Sequence, residues 1–470
     1  MFRKLSKVWL ASFLLFVPFQ MLLAERVVWG FNYLYQITIV LFFPFAVARL
    51  YRGRRLLRGN LLFLTVPLIA VAASGAISGL INRNPLFVTT LGIFDYVKNF
   101  LVIFIYAAFF TEAGEWQKIL NYLLVIGAAL GAIAFFQEIW AVNFHYLFSY
   151  NIYHADNYIL RSLPAESWKL QDLWRVGIYR AQSLMDHPDA LGLYSLLLLF
   201  IYLSVRKEIN PLVFFLLYTG VFVGVSRMVY AGFMLLGGVQ FFRGKKWIAA
   251  FMVPIVVLLF FMSSLPDLDI SHILKGNIRE GGIKISQILH GSAKTKKQKT
   301  NRQEITSQEQ EAKLESWDYR AYAKDKALRV WRDNPIFGVG PGMFGGVVSV
   351  MFHSPVYKKY GFSQKWYDYM KPFRSLDQFW PQALAELGSA GALLFAGFLL
   401  SVLICLFVLG KRAGYEDARG LFTGLAGASL LIFIYTMGSG LNEASFLFTY
   451  CAFVGMGLGY ENAGRERDKA

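Results

Sequence analysis

The residues best suited to chemistry are concentrated between positions 317 and 391, shortly before the last hydrophobic segments. Asp377 and Glu386 are candidate general bases, because a carboxylate can accept the proton of an attacking hydroxyl group. Glu386 also has a structural alternative, since it could brace the helix expected to begin near Pro381, a residue suited to a first helical turn. Three histidines are further candidate bases, at His187, His290 and His353.

Arginine residues supply candidate binding groups for an anion. Arg180 and Arg227 lie at the ends of predicted membrane spans, where an arginine is costly unless it meets an anion. Its planar guanidinium group matches two phosphate oxygens at once. For Arg227, the alternative is a side chain that reaches toward lipid headgroups. Arg320 is a further candidate, because it precedes a glycine-rich segment in the same polar region.

That glycine-rich segment reads Pro335-Ile-Phe-Gly-Val-Gly-Pro-Gly342. Its glycines permit a tight turn in which backbone N–H groups could face an anion. No Gly-Lys-Ser or Gly-Lys-Thr pattern follows, so the segment does not resemble a nucleotide phosphate loop. Elsewhere, Asp95 and Lys98 share one face of a hydrophobic helix and form either a buried ion pair or part of a substrate path.

The composition requires most of these groups to be positioned by membrane helices. Hydrophobic residues make up 56% of the 470 residues and charged residues only 16%, against about 25% charged in soluble domains. The two cysteines, Cys405 and Cys451, lie in apolar segments and exclude a disulfide framework or a cysteine-rich metal site. No spacing of His, Asp or Glu indicates a metal site, and we expect no cofactor.

The hydrophobic runs predict an all-α polytopic integral membrane protein with about 12 transmembrane helices and a large extracytoplasmic loop or cap before the last three. The predicted spans are 8–24, 29–49, 61–81, 87–110, 117–139, 189–205, 211–226, 228–242, 247–263, 389–410, 417–437 and 442–459. The net charge of +17 is explained largely by lysines and arginines in alternate loops. This asymmetry predicts that both termini are cytoplasmic.

Three regions follow from this arrangement. Residues 1–263 hold the first nine spans and an outer loop at 140–188, residues 264–388 form the large outer loop, and residues 389–470 hold the last three spans and a cytoplasmic tail. Within the large loop, residues 291–316 contain almost no apolar side chains. Such a segment buries too little surface to offset its conformational entropy, so we expect a flexible insert.

The layout and several local motifs resemble the bacterial O-antigen polymerase and O-antigen ligase superfamily. The resemblance covers roughly residues 175–400. The motifs that carry it are Arg180-Ala-Gln-Ser-Leu-Met-Asp-His-Pro188, Ser226-Arg227, Asp333-Asn-Pro-Ile-Phe-Gly-Val-Gly-Pro-Gly342 and Glu386-x-Gly388-x-x-Gly391. It implies transfer of a glycan from an undecaprenyl-diphosphate donor to a hydroxyl of an acceptor glycan. It also implies that neither a nucleotide sugar nor a metal is needed.

The same resemblance implies roles for individual residues. Arg180, Arg227 and Arg320 would contact the donor diphosphate. Many family members have a His-Asn pair near the start of the helix with the Glu-x-Gly pattern, whereas this chain reads Leu376-Asp377-Gln378. Asp377 could therefore act as the base, or the base lies elsewhere. Aromatic residues such as Trp366 and Trp380 could stack on sugar rings or anchor the chain at the membrane interface.

The resulting prediction is a polysaccharide polymerase in the bacterial inner membrane, with its active site on the outer face. Its expected partners are an undecaprenyl-diphosphate-linked oligosaccharide, the lipid bilayer, a chain-length regulator and a flippase, with no nucleic acid. An O-antigen-ligase-type transfer to a lipid or protein acceptor is the alternative within the class. A 12-helix transporter or lipid-glycan flippase is the alternative from another class, although the sequence shows no repeat between its halves.

Overall fold

The computed structural model describes residues 2–26, 31, 33–53, 59–112, 114–140, 174–175, 178–185, 187–224, 226–242, 319–362, 378–441 and 443–467. These residues form fifteen helices and one short pair of strands. The first six helices are α1 (Phe2–Phe16), α2 (Gln20–Arg26), α3 (Leu34–Arg52), α4 (Gly59–Ile81), α5 (Leu86–Phe109) and α6 (Glu115–Trp140). The next three are α7 (Pro188–Val205), α8 (Pro211–Val223) and α9 (Arg227–Phe242). The last six are α10 (Tyr319–Asp333), α11 (Val347–Met351), α12 (Pro355–Lys359), α13 (Phe379–Arg412), α14 (Glu416–Gly438) and α15 (Ala444–Arg467).

The chain is an all-α polytopic membrane protein. Within its described part, seven helices are long and apolar enough to cross a membrane, namely α3, α4, α5, α6, α7, α13 and α14, while α8 and α9 are shorter apolar helices. Every predicted span except 247–263 overlaps a helix. Because 247–263 lies outside the described residues, the number of about twelve spans stays a prediction, as do the orientation and the flexible insert at 291–316.

The first predicted span differs from a single continuous helix. A 3-10 turn at Val17–Phe19 separates α1 from α2 and contains Pro18. Proline lacks the N–H group that an α-helix interior requires, which favours an interruption at this point. The strands β1 (Trp174–Arg175) and β2 (Ile178–Tyr179) pair antiparallel just before Arg180.

The core of the bundle is built around α7. Every residue of this helix except Asp189 is buried, and α7 contacts α6, α8, α9, α14 and α15. Gly420 and Gly424 of α14 lie against the backbone of α7, where an added Cβ would meet the carbonyl groups of Ser204 and Phe200. Lipid tails provide no hydrophobic force between helices, so small residues that allow close backbone approach stabilise such contacts.

The longest helix, α13, is broken at Gly388, whose φ of 66° and ψ of −171° are not helical. An unbroken helix would pair the N–H groups of Ser389 and Ala390 with the carbonyls of Ala385 and Glu386. Instead, Ser389 and Ala390 donate to the carbonyls of Pro335 and Ile336, at 2.8 and 3.1 Å. The segment 335–340 therefore fits into the break.

The same segment also satisfies the two carbonyls that the break releases. Val339 donates its N–H to the Ala385 carbonyl at 2.9 Å, and Gly340 donates to the Glu386 carbonyl at 2.9 Å. All four backbone groups thus keep a hydrogen bond. Irregular backbone at membrane depth is tolerated when protein supplies such partners. The break coincides with the predicted boundary between the outer loop and the span 389–410.

A substitution at Gly388 tests this arrangement. We expect Gly388→Ala to lower the thermal unfolding midpoint, because a residue with a Cβ in this essentially glycine-only backbone conformation costs about 1–3 kcal/mol. The added Cβ would also meet the backbone of Ile336 and Gly338. The matched control is Gly397→Ala in the same helix, where an added Cβ meets no atom within 4 Å. There we expect a stabilisation of about 0.5–1 kcal/mol. Equal shifts of the two midpoints, measured in detergent, would contradict the role assigned to Gly388.

Candidate active site

The glycine turn, defined here as residues 335–344, takes a backbone path that depends on its glycines. Gly338, Gly340 and Gly342 have φ values of 66°, 102° and 76°, in the region that side chains with a Cβ rarely adopt. A Cβ on Gly338 would also collide with the backbone of Glu386. The tight turn predicted from the sequence is therefore present, and it contacts α13 directly.

Three polar side chains near the end of α4 fix the turn. Ser78 donates its hydroxyl to the Phe337 carbonyl. The Nδ2 groups of Asn82 and Asn84 donate to the carbonyls of Gly338 and Val339, at 2.9 and 2.7 Å. Three successive carbonyls of the turn thus receive hydrogen bonds from one short stretch of chain. Sequence reasoning missed these donors, because they lie more than 250 residues before the turn.

Backbone N–H groups of the turn bind protein acceptors. Those of Gly338, Val339 and Gly340 donate to carbonyls, and that of Phe344 donates to Oε1 of Glu386 at 2.8 Å. The sequence suggested that such groups could face an anion. In the structure, the group that accepts the Phe344 N–H is the carboxyl group of Glu386.

Glu386 holds this turn against two helices. Its carboxylate is 1% exposed and accepts hydrogen bonds from the Tyr96 hydroxyl of α5 at 2.8 Å and from Nε2 of Gln382 at 3.3 Å. Burying a carboxylate in a membrane bundle is costly unless donors surround it. These contacts favour the structural alternative for Glu386, and its catalytic role stays a prediction. The sequence offered no signal for Tyr96.

The ion pair of Asp95 and Lys98 borders the same group. Lys98 Nζ lies 2.5 Å from Asp95 Oδ1 and 5.6 Å from the centroid of the Tyr35 ring. Asp95 and Gln382 both lie near Gly346. A Cβ added to Gly346 would be 2.8 Å from Gln382 Nε2 and 4.0 Å from Asp95 Oδ2. The ion pair, which is one of the two alternatives expected from the sequence, is therefore present. It lies beside the residues that bind Glu386. A role in a substrate path stays a prediction.

A group of three short helices packs on the glycine turn. It consists of α10, α11 and α12, and its apolar side chains pack with Val339, Met343 and Phe344 of the turn. The Tyr357 hydroxyl accepts the Gly345 N–H at 2.8 Å. Burial raises the pKa of Tyr360 to about 12, and the nearby Asp333 adds to this rise. Tyr360 therefore stays a neutral phenol at physiological pH.

Arg180 lies at the junction of α8 and α9. Its side chain is buried, its Nε donates to the Gly224 carbonyl at 2.8 Å, and an Nη lies 2.7 Å from Asp189 Oδ1. Gly224 caps α8, and α9 begins at Arg227. The structure thus brings Arg180 next to the backbone that leads into Arg227. Asp189 was missed, although its place in the first turn after Pro188 is a favourable one for an acidic residue.

The structure gives fewer contacts for the other site residues predicted from the sequence. The side chains of Arg227 and Arg320 are outside the described set. Arg320 is the second residue of α10, on the order of 20 Å along the helix axis from the turn that follows α10. Trp380 donates its Nε1–H to Thr436 Oγ1 of α14 at 3.2 Å. Asp377 and Trp366 lie outside the described residues, so their roles stay predictions.

A comparison with models of protein families finds a match that includes most of this site. Residues 212–396 match the family model described as O-Antigen ligase. The matched range begins at α8, includes Arg227 and the glycine turn, and ends within α13 beyond the break. The expected resemblance to the O-antigen polymerase and ligase superfamily is thereby confirmed. No curated protein matches the chain.

The family match also bears on function in general terms. It supports glycan transfer of the O-antigen ligase or polymerase type, by a membrane glycosyltransferase-like enzyme of a bacterial membrane. A lipid bilayer and a lipid-linked glycan substrate are consistent with this class.

Two substitutions at Glu386 separate its structural from its catalytic role. We expect Glu386→Ala to destabilise the protein strongly, because it leaves the Phe344 N–H without its buried acceptor at a cost of about 1–3 kcal/mol. Glu386→Gln keeps an oxygen that accepts the Phe344 N–H. Its amide N–H can donate to the Tyr96 hydroxyl, and only the long hydrogen bond from Gln382 Nε2 is lost. We therefore expect Glu386→Gln to stay folded and to retain glycan transfer within about tenfold, since loss of a general base costs about 10²–10⁴-fold. A folded but inactive Glu386→Gln protein would make Glu386 a catalytic base.

A second test concerns the ion pair of Arg180. We expect Asp189→Asn to lower stability by up to about 3–5 kcal/mol, because it removes an anionic partner of the buried Arg180 guanidinium. The control is Asp325→Asn, which removes the exposed partner of Arg329 and should cost less than about 1 kcal/mol. Thermal unfolding in detergent measures both. A loss from Asp189→Asn no larger than that from the control would mean that the pair does not hold this junction.

Proposed function

We propose that this chain, which matches the O-Antigen ligase family model over residues 212–396, is a polysaccharide polymerase. It transfers glycan from an undecaprenyl-diphosphate-linked donor to a hydroxyl of a lipid-linked acceptor glycan on the outer face of the membrane. The product would be an exopolysaccharide, a capsule or a teichuronic-type polymer. A flippase that supplies the donor and a chain-length regulator are the partners that such a reaction calls for.

The observation that carries the proposal is the glycine turn seated in the break of α13, within the family match. This arrangement gathers backbone and polar side chains from α4, α5 and α13 at the start of the predicted span 389–410. In a transporter, broken helices typically place the substrate site near the bilayer midplane. A break at the beginning of a span fits a site at a membrane surface better, and so supports an enzyme over the transporter or flippase alternative.

The proposed reaction is a single displacement at the anomeric carbon of the donor. The oxygen of the acceptor hydroxyl forms the new glycosidic bond, and the bond from the anomeric carbon to the diphosphate oxygen breaks. Undecaprenyl diphosphate leaves with the electron pair, and the hydroxyl proton passes to a base. Asp377 is the proposed base, and its neighbour Gln378 is the residue that directly precedes α13.

The arginines divide into two roles in this proposal. Arg227 and Arg320 are proposed to stabilise the charge of the departing diphosphate, a contribution that preorganised cationic groups make in many transfer reactions. Arg180 is bound to Asp189 and Gly224, so we assign it to positioning the junction before Arg227. Trp366 and Trp380 remain candidates for contact with sugar rings.

The experiment supplies the purified full-length protein, in detergent, with lipid-diphosphate-linked repeat units. We expect a ladder of chain lengths from the wild type. Asp377→Ala should lower the rate by about 10²–10⁴-fold, as loss of a general base does, and Arg227→Ala by about 10²–10³-fold, as loss of a charge-stabilising group does. The matched controls are Asp325→Ala and Arg329→Ala, which break an exposed pair on α10 and should leave the ladder unchanged.

Other outcomes select the alternatives. Transfer of one unit to a different lipid or protein acceptor would identify a ligase. Movement of the lipid-linked glycan across liposomes without a new glycosidic bond would replace the enzyme by a flippase. A wild-type distribution of chain lengths from Asp377→Ala or Arg227→Ala would remove that residue from the proposed site.

A further inference from the structure

A cavity of about 400 Å³ lies between the end of α13 and the first half of α14. The residues that line it are Phe407, Gly410, Lys411, Arg419, Thr423 and Ala426. Gly388 precedes Lys411 in the same helix by a distance of roughly 35 Å along the axis. The cavity is therefore at the opposite end of α13 from the glycine turn, and it has no part in the proposed transfer reaction.

The rim of this cavity is basic. Lys411 Nζ lies 4.3 Å from the centroid of the Phe407 ring, a distance typical of a cation–π contact. Arg419 donates an Nη–H to the Ala413 carbonyl at 3.4 Å. Both side chains are exposed. Two positive groups thus lie at the mouth of one cleft.

The nearby acidic residues are engaged away from the cavity. Glu416 Oε2 lies 2.6 Å from Lys207 Nζ, in the connection between α7 and α8. Asp417 accepts a hydrogen bond from Gln117 of α6 at 2.7 Å. Neither carboxylate lines the cleft, so the charge of Lys411 and Arg419 is complementary to an anion there.

An apolar surface continues from the cleft along α13. Leu400, Ile404 and Phe407 are 48%, 43% and 55% exposed, and their spacing of four and three residues places them on one helix face with Lys411. The cleft therefore combines a basic mouth with an exposed apolar stripe. An anionic lipid has matching parts, because its negatively charged headgroup is followed by apolar acyl chains.

We propose that this cleft binds an anionic phospholipid. Its phosphate lies between Lys411 and Arg419, and one acyl chain follows Phe407, Ile404 and Leu400. Basic pockets between membrane helices recognise anionic headgroups in this way. The site is distinct from that of the lipid-linked substrate, because the two lie at opposite ends of α13.

The test measures lipid binding by the purified full-length protein, using native mass spectrometry with phosphatidylglycerol and phosphatidylcholine. We expect wild-type protein to retain phosphatidylglycerol preferentially. Lys411→Gln and Arg419→Gln should each weaken that binding about fivefold, since each removes one direct contact to the phosphate worth about 1 kcal/mol. The matched control is Arg412→Gln, which removes an exposed neighbour that does not line the cavity and should leave binding unchanged.

Further arms distinguish a lipid site from a simple anion site. Ile404→Ser, on the apolar stripe, should weaken phosphatidylglycerol binding although it removes no charge. Glycerol phosphate, which lacks acyl chains, should not displace the lipid at equal concentration. Displacement by glycerol phosphate, equal retention of phosphatidylcholine, or an equal loss in Arg412→Gln would each overturn the proposal. An unchanged size-exclusion profile establishes that each variant is folded.

Discussion

The structure of the candidate site depends on an exchange of backbone hydrogen bonds at the break in α13. Residues 385–388 at the break are buried, and the N–H and C=O groups that an interrupted helix leaves open are costly there unless other backbone groups pair with them. Residues 335–340 satisfy all four of them, so the turn and the break require each other. Gly388 permits the break, and Gly338 permits the turn to approach it. This mutual requirement explains why a glycine-rich turn and a Glu-x-Gly pattern occur in the same chain.

Glu386 joins the two features through both its backbone and its side chain. Its carbonyl accepts the Gly340 N–H, and its carboxylate accepts the Phe344 N–H and the Tyr96 hydroxyl. One residue thus connects the turn, α13 and α5. A carboxylate so surrounded has a clear structural purpose, and Asp377 is left as the acidic residue proposed for proton transfer. The Asp95 and Lys98 pair adds charge beside this group.

The arginines illustrate how burial changes the meaning of a charged residue. From the sequence alone, Arg180 and Arg227 were equivalent candidates for a diphosphate. The side chain of Arg180 is buried with Asp189 and the Gly224 carbonyl, and a buried pair of this kind is disrupted at high cost. Its contacts hold the α8–α9 junction, from which Arg227 begins the next helix. Arg180 is therefore assigned to positioning this junction, and Arg227 remains the candidate for binding the diphosphate.

The sequence by itself determined the membrane class, the positions of most helices and the resemblance to the O-antigen polymerase and ligase superfamily. Hydropathy is summed over neighbouring residues, and motifs such as Glu386-x-Gly388 are contiguous, so both can be recognised without knowing any distant contact. The tight turn and the Asp95–Lys98 pair were also accessible in outline, whereas the break at Gly388 was not predicted. The tertiary structure alone decided which groups meet at the site. Tyr96, Ser78, Asn82 and Asn84 lie hundreds of residues from the groups they bind, and the pairing of a donor with an acceptor depends on how the helices pack. For that reason the N–H groups of Gly338, Val339 and Gly340, in a turn whose N–H groups could have faced an anion, bind protein carbonyls, and that of Phe344 binds Glu386.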